Sequence, residues 1–291
     1  MKGVILTNPY DTHSVQRHKV QRMQQELTAL GVDLSVVPND TFVTGIVNGD
    51  IDCELNADFV LFFDKDKYTG EMLEKRGIRL FNSAKATAIC DDKMLTHITL
   101  AGNNIPMPDT LPGALCYNPN GEISDKYLQL ACDRLGLPMI VKQCYGSYGE
   151  QVYLASTRQE MRTLLNGIKT QAYLLQHFEQ QSSGRDMRVI VIGGKVACAM
   201  LRENAQDFRS NVAHGGRATA VEIPKEIADL CEKTAKIIGL DYCGIDVLLS
   251  DTPKICEVNS NAMFEAMERV TGINVAKLYA EHIVKTIKQG K

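Results

Sequence analysis

The stretch "GIDVLLSDTPKICEVNSN", residues 244 to 261, places two apolar runs on either side of a turn-forming "SDTP". Ile255, Cys256 and Val258 read as a buried strand, yet Glu257 and Asn259 lie within it, residue types that such a strand normally excludes. If Ser250 to Pro253 close an antiparallel hairpin, Leu249 faces Lys254, Asp246 faces Glu257 and Gly244 faces Asn259. Strand side chains alternate faces, so Glu257 and Asn259 share one face and Asp246 joins them from the neighbouring strand.

Two carboxylates about 5 Å apart repel by roughly 3 kcal/mol at an effective dielectric of about 20, before desolvation. Such a pair calls for a cation. Two carboxylates and an amide offer oxygen ligands only, which suits Mg²⁺ or Mn²⁺ with phosphate oxygens and water completing the octahedron. The other reading open at this point is that Asp246 and Glu257 face solvent on the polar side of an antiparallel sheet.

A metal site of this kind expects a polyphosphate, and so separated basic residues and a loop that brings backbone N–H groups close. Lys142 ends the apolar run "PMIVK" just before "QCYGSYGEQ", where Gly146, Ser147 and Gly149 allow close main-chain approach. The Walker spacing is absent. Arg188, Arg202 and Arg209 with Asn211 follow, and "AHGGRA" reads as a mobile segment. Guanidinium groups capture phosphate or carboxylate in bidentate fashion and stabilise a charged transition state. Taken singly, each arginine is a surface charge and the glycines a turn; their coincidence with the acidic strand pair carries the argument.

Outward from these strands the chain divides into three. Residues 1 to 83 alternate strand and helix: "GVILTN", a helix with Val20, Met23, Leu27 and Leu30 stopped by Gly31, "VDLSVV", "DFVLFFD", a helix around 69 to 76, and "IRLFN". This predicts a small open α/β domain with a mostly parallel sheet. Residues 84 to 174 read as an α+β lobe, with helices from about 92 to 101 and from Ser124 to Gly136, and a capping-box spacing at Thr157 and Glu160. Residues 175 to 291 are strand-rich, with helices near 224 to 238 and 274 to 288. A cleft between the second and third lobes is the expected ligand site.

The chain has 291 residues, 44% hydrophobic and 23% charged, with a net charge of −3, which gives no general reason to expect nucleic acid or an anionic membrane as partner. Its longest apolar runs are strand-length, short of the roughly 20 residues that cross a bilayer. The opening "MKGVILTNPYDTHS" lacks the pattern of a signal peptide, so a cytoplasmic protein is expected. The nine cysteines are odd in number and form no CxxC, which speaks against a zinc site or a disulfide framework. A dehydrogenase is excluded because the first strand and helix are not joined by GxGxxG.

The ordered set "DDKMLTH", "IVKQCYGSYG", "LLQHF", "GRDMRVIVIGGKVACAMLR", "DFRSNVAHGG", "GIDVLL" and "CEVNSN" resembles the ATP-grasp superfamily, and within it the RimK-type carboxylate-amine (glutamate) ligases, from about residue 85 onward. The resemblance implies an ATP-grasp fold with the nucleotide held between the central and C-terminal lobes. It implies that Lys93 and Lys142 contact the ATP phosphates, that Gly146, Ser147 and Gly149 lie in the covering loop, and that His177 and Phe178 flank adenine. Asp186 would approach the ribose or the substrate edge, Arg209, Ser210 and Asn211 the phosphates, and Arg202 the acyl phosphate, with Asp246, Glu257 and Asn259 holding two Mg²⁺ or Mn²⁺.

The implied activity is an ATP- and Mg²⁺-dependent ligase that forms an amide through an acyl phosphate. Arg202 and Arg209 would be catalytic, the partners a small amino acid or carboxylate and a peptide or protein acceptor, and the assembly a homo-oligomer. The competing reading is a nucleotide-binding regulatory protein without turnover. "NSNAMFEAME" lacks the Ser-Pro-Gly turn and further glycine frequent in that family, His177 stands where an acidic residue is frequent, and Gln151 where a third loop glycine is common. Backbone contacts dominate the nucleotide site, so these departures bear on the choice of amino-acid substrate.

Overall fold

The run Phe59–Phe63 is buried along its whole length, as a central parallel strand covered on both faces should be. In the computed structural model, which describes residues 1–211 and 215–290, it belongs to the N-terminal lobe. That lobe runs β1 (Lys2–Thr7), α1 (Ser14–Ala29), β2 (Asp33–Pro38), β3 (Thr44–Val47), β4 (Asp50–Cys53), β5 (Phe59–Phe63), α2 (Lys67–Lys75) and β6 (Arg79–Phe81). Its sheet has the order β2-β1-β5-β6 and is parallel throughout, as expected. The hairpin β3–β4 stands apart from it and was not anticipated.

Helices α3 (Ala84–Asp91) and α4 (Lys93–Leu100) come next, with Ser83 accepting from the Ala86 N–H and Asp92 from those of Met94 and Leu95. The single helix expected near 92 to 101 is thus preceded by another, in which Ala84, Ala86 and Ala88 favour helix. The central lobe contains β7 (Thr110–Pro112), α5 (Asp125–Leu135), β8 (Met139–Gln143), β9 (Val152–Ala155), α6 (Arg158–Ile168) and β10 (Tyr173–His177). Ser124 and Thr157 cap α5 and α6 as the sequence predicts. The antiparallel sheet has the order β7-β10-β8-β9. Because β10 pairs with β7 and β8, this sheet extends to His177, and a boundary at 174 would cut the strand.

The C-terminal lobe has β11 (Arg185–Ile192), β12 (Lys195–Glu203), β13 (Arg217–Ala220), α7 (Lys225–Ile238), β14 (Tyr242–Leu248), β15 (Lys254–Asn259), α8 (Glu265–Thr271) and α9 (Val275–Gly290). Its antiparallel sheet has the order β13-β12-β11-β14-β15. Of "AHGGRA", Ala213 and His214 lie outside the described residues, while Arg217 and Ala218 begin β13.

Packing ties the lobes unequally. Met23 and Phe81 share one core with Tyr242, Phe264, Tyr279 and Ile283, so the N-terminal and C-terminal lobes are welded by apolar burial. Asn82, 2% exposed, reinforces the seam. Its Nδ2 donates to the carbonyls of Tyr242 (2.7 Å) and Ser260 (2.8 Å), and its Oδ1 accepts from the N–H groups of Asp241 (2.7 Å) and Tyr242 (3.0 Å). Ala86, Ile89 and Leu100 pack with Val189, Ile245 and Ile255, so α3 and α4 belong to the C-terminal core although the sequence reading starts the central lobe at residue 84. The central lobe keeps a core of its own around Leu128, Met139, Leu165 and Leu175. Among the described residues no helix is long and apolar enough to cross a membrane.

Candidate active site

Strands β14 and β15 pair Asp246 with Glu257 and Gly244 with Asn259, as the sequence predicts. Nearer the turn the expected register fails: Lys254 pairs with Leu248 and Ile255 with Val247, which leaves Cys256 as the extra residue of a bulge. The cause is apolar spacing. Ile255 and Val258 enter the same core, which two residues three apart cannot do along a strictly alternating strand. The bulge reconciles them and returns Glu257 and Asn259 to the predicted positions.

The cation that the acidic pair calls for is supplied first by the neighbouring strands. Arg188 lies opposite Asp246 on β11, and Arg202 lies opposite Asp186 on β12. Arg188 donates from Nε to Asp246 Oδ1 (2.6 Å) and from a terminal nitrogen to Oδ2 (2.6 Å). Arg202 reaches Asp246 Oδ2 at 2.9 Å and grips Asp186 with two bonds of 2.7 and 2.5 Å. Burial alone would raise the Asp246 carboxyl, but the two guanidiniums outweigh it and hold it below the usual carboxylate range. Burial alone would lower Arg202, and Asp246 and Asp186 instead hold it above its ordinary range. Asp186, expected at the ribose or the substrate edge, is committed to Arg202 and is 7% exposed.

The lysines converge on the same place. Lys93, the first residue of α4, donates to the Gly146 carbonyl at 3.0 Å and lies 3.5 Å from Glu257 Oε1. Lys142 donates to Gln176 Oε1 at 2.8 Å and meets the Cys256 sulfur at 3.4 Å. The loop between β8 and β9 has left-handed backbone at Gly146 (φ 147°), Tyr148 (59°) and Gly149 (78°). At φ 147° Gly146 holds a backbone conformation that residues with a Cβ rarely adopt, so this position favours glycine. Arg209 donates to the Gly149 carbonyl at 2.9 Å, which ties the loop to the C-terminal lobe. Lys93, Lys142, Asp186, Arg202, Arg209, Ser210, Asn211, Asp246 and Glu257 all line one cleft with His177 and Phe178 at its edge. The His177 N–H is taken by the Asp109 carbonyl, its ring contacts the Leu135 carbonyl at 2.9 Å, and Phe178 meets Phe208 edge-on. Ser147 accepts from Lys65 at 3.3 Å and lines an adjoining cavity of about 470 Å³ with Asn259.

Three of the roughly four acceptor directions of the Asp246 carboxylate are used, which leaves one on Oδ1. Glu257 is partly exposed with Lys93 at its edge, and Asn259 would ligate through its side-chain oxygen, the buried, unpartnered end of that amide being the Nδ2 donor. An oxygen-seeking divalent ion fits this donor set.

Reasoning from sequence missed the second cavity's other wall. Asn8 and Asp64 follow β1 and β5, and the carboxyl ends of parallel strands are where open α/β sheets bind ligands, so that rule could have found them. Asp64 is held by the Lys65 N–H at 2.6 Å and Asn8 Nδ2 at 3.4 Å. His97 was missed as well: its Nε2 meets Gln176 Nε2 at 3.1 Å, behind Lys142. Burial, with the nearby Lys142 charge second, pushes the His97 imidazole down to about 4. Between pH 6.5 and about 4 the unfolded chain binds a proton at this histidine that the folded chain does not, so stability rises with pH there. Acidification across that window should cost about 3 kcal/mol through this group, and His97→Gln should flatten that part of a urea-denaturation pH profile.

Residues 90–283 match the RimK-like ATP-grasp domain. Human beta-citrylglutamate synthase B is 29% identical over 279 residues, covering 89% of this chain and 71% of that protein. A probable alpha-L-glutamate ligase of Halorhodospira halophila is 35% identical over 224 residues, 75% of this chain and 71% of that one. The matches span between 55% and 72% of the lengths of these and other curated relatives. The structure of the D-alanine–D-alanine ligase of Bacillus anthracis complexed with ATP superposes with a TM-score of 0.73 at 17% identity, over 100% of this chain and 99% of that one. A match across most of the chain by sequence and across all of it by fold has one consequence: the chain belongs to the RimK-like ATP-grasp family.

Proposed function

We propose that this ATP-grasp ligase uses ATP and Mg²⁺ to join a carboxylate to the amine of an amino acid through an acyl phosphate. The observation that carries the reading is the convergence of Lys93, Lys142, Arg202 and Arg209 on one cleft wall with Asp246 and Glu257. Five cations (Lys93, Lys142, Arg185, Arg202 and Arg209) line that cleft against four carboxylates (Glu179, Asp186, Asp246 and Glu257), and among the described residues Lys142 forms no ion pair, so its charge is left for a polyphosphate.

In the proposed reaction a substrate carboxylate oxygen attacks the γ-phosphorus and the bond to the ADP oxygen breaks. The amine nitrogen then attacks the acyl carbon, phosphate leaves with its electron pair, and the nitrogen loses a proton. Lys93 and Lys142 hold the phosphates, and the loop carrying Gly146, Ser147 and Gly149 excludes water. Arg209, Ser210 and Asn211 flank the phosphates, Arg202 stabilises the charge that develops on the transferred group, and His177 and Phe178 border the base. Asp186 acts here by holding Arg202. Asp246, Glu257 and Asn259 would hold the metal, as two Mg²⁺ or as Mn²⁺, which supplies charge neutralisation on the phosphate oxygens.

The reading places the nucleotide between the central lobe, ending at His177, and the C-terminal lobe. The acceptor is a small amino acid, carboxylate or peptide, in a homo-oligomer working in the cytoplasm, where nine free thiols would persist. The test is ADP release over amino-acid and carboxylate pairs, with mass spectrometry of the product. An amide product with stoichiometric ADP is expected; nucleotide binding without ADP release from any pair favours the regulatory alternative and refutes the ligase.

A further inference from the structure

Lys19, on α1, is 1% exposed and lies with Nζ 4.1 Å from the centre of the Phe63 ring and 5.2 Å from that of Tyr242. A lysine buried to this degree is normally paired with an acid. Among the described residues Lys19 forms no ion pair, and the hydrogen-bond partner of its Nζ is the side-chain oxygen of Asn261. The lysine and arginine that line the neighbouring cavity are both matched: Lys65 with Asp91 at 2.6 Å and Arg188 with Asp246 at 2.6 Å.

Asn261 forms part of that cavity's wall. It sits in "NSNAMFEAME", the segment in which this chain departs from the pattern it otherwise resembles. Lys19 donates to Asn261 Oδ1, so the amide oxygen is committed and the amide N–H₂ is what this cavity-lining residue has left to offer a ligand. Burial pushes the Lys19 amine down from its ordinary range; charged or neutral, the amine retains N–H to donate. The two aromatic faces favour the charged form.

We propose that Lys19 is a positioning residue that, through Asn261, builds a subsite for the free α-carboxylate of the amine-donating amino acid. A carboxylate at Asn261 accepts the outward N–H₂ and supplies, one residue away, the negative charge that the folded chain withholds from Lys19. A neutral carbonyl would supply the first and not the second. The inference rests on the ligase reading and assigns to it the two residues, Lys19 and Asn261, that would read the carboxylate of the amine substrate.

The experiment uses the full chain with Mg²⁺ and ADP and follows its melting temperature against each of the twenty L-amino acids and their α-amides. At least one amino acid is expected to raise the melting temperature of the wild type while its α-amide does not. Lys19→Met should melt at or above the wild type, because an apolar stem replaces an unpaired buried amine. Its KM for that amino acid should rise about tenfold or more in ADP release, with kcat within about threefold. Asn261→Asp gives Lys19 a carboxylate of its own and should raise the melting temperature while removing the shift with amino acid. The proposal is overturned if no amino acid stabilises the wild type, if α-amides bind equally, or if Lys19→Met melts lower with KM unchanged. Absence of ADP release from the wild type refutes the ligase reading instead, since amino-acid binding is read without turnover.

Discussion

Asp246→Asn is expected to abolish ADP release and also to lower the unfolding free energy by about 3–5 kcal/mol, whereas Glu257→Gln abolishes ADP release with stability nearly unchanged. From the sequence alone the two residues are equivalent halves of one metal site, and both substitutions should spare the fold. The structure separates them. Asp246 is 4% exposed and is the shared counter-ion of Arg188 and Arg202, the latter 2% exposed. Neutralising it leaves buried positive charge uncompensated, and breaking a buried pair from one side is costly. Glu257 is partly exposed and meets Lys93 at 3.5 Å, a contact worth about 1 kcal/mol or less. Urea denaturation of both variants beside ADP release decides the matter: equal stability losses would refute the guanidinium assignment, and unchanged turnover in both would refute the metal assignment.

Lys142→Met is expected to reduce turnover by about 10²- to 10³-fold, the usual scale for removing one preorganised charge from a transition state. Stability should fall by about 1–3 kcal/mol, because Gln176, 2% exposed, loses the Lys142 donor to its Oε1. The same substitution removes the charge that helps depress His97, so the midpoint of the acid-induced loss of stability should move toward pH 6.5. A Lys142→Met enzyme with wild-type kcat would remove this lysine from the phosphate site.

Much of the site was legible because its geometry is local. The period-two alternation of a strand and the short turn between β14 and β15 bring Asp246 opposite Glu257 whatever the rest of the molecule does. Helix caps at Ser124 and Thr157 and the strand–helix alternation of the first lobe are equally local. The bulge at Cys256 could have been read from the spacing of Ile255 and Val258, had both been assigned to one core.

Other features depend on which strand lies beside which. Arg188 meets Asp246 because β11 sits next to β14, an order that no local pattern encodes, whereas Arg202 meets Asp186 within the β11–β12 hairpin closed at Gly193–Gly194, its register shifted by the bulge between Ile190 and Val191. The joining of Met23 and Phe81 to Tyr242 and Tyr279 brings residues more than 150 positions apart into one core. It also brings Lys19 to Asn261. By itself the sequence determined the chemistry of the cleft, the acidic pair, the lysines and the glycine loop, because alternation and turns act between near neighbours. Only the tertiary structure decided which charges neutralise one another before a ligand binds and which buried amine is left without an acid, because those outcomes follow from sheet order and from the apolar burial that joins the first lobe to the last.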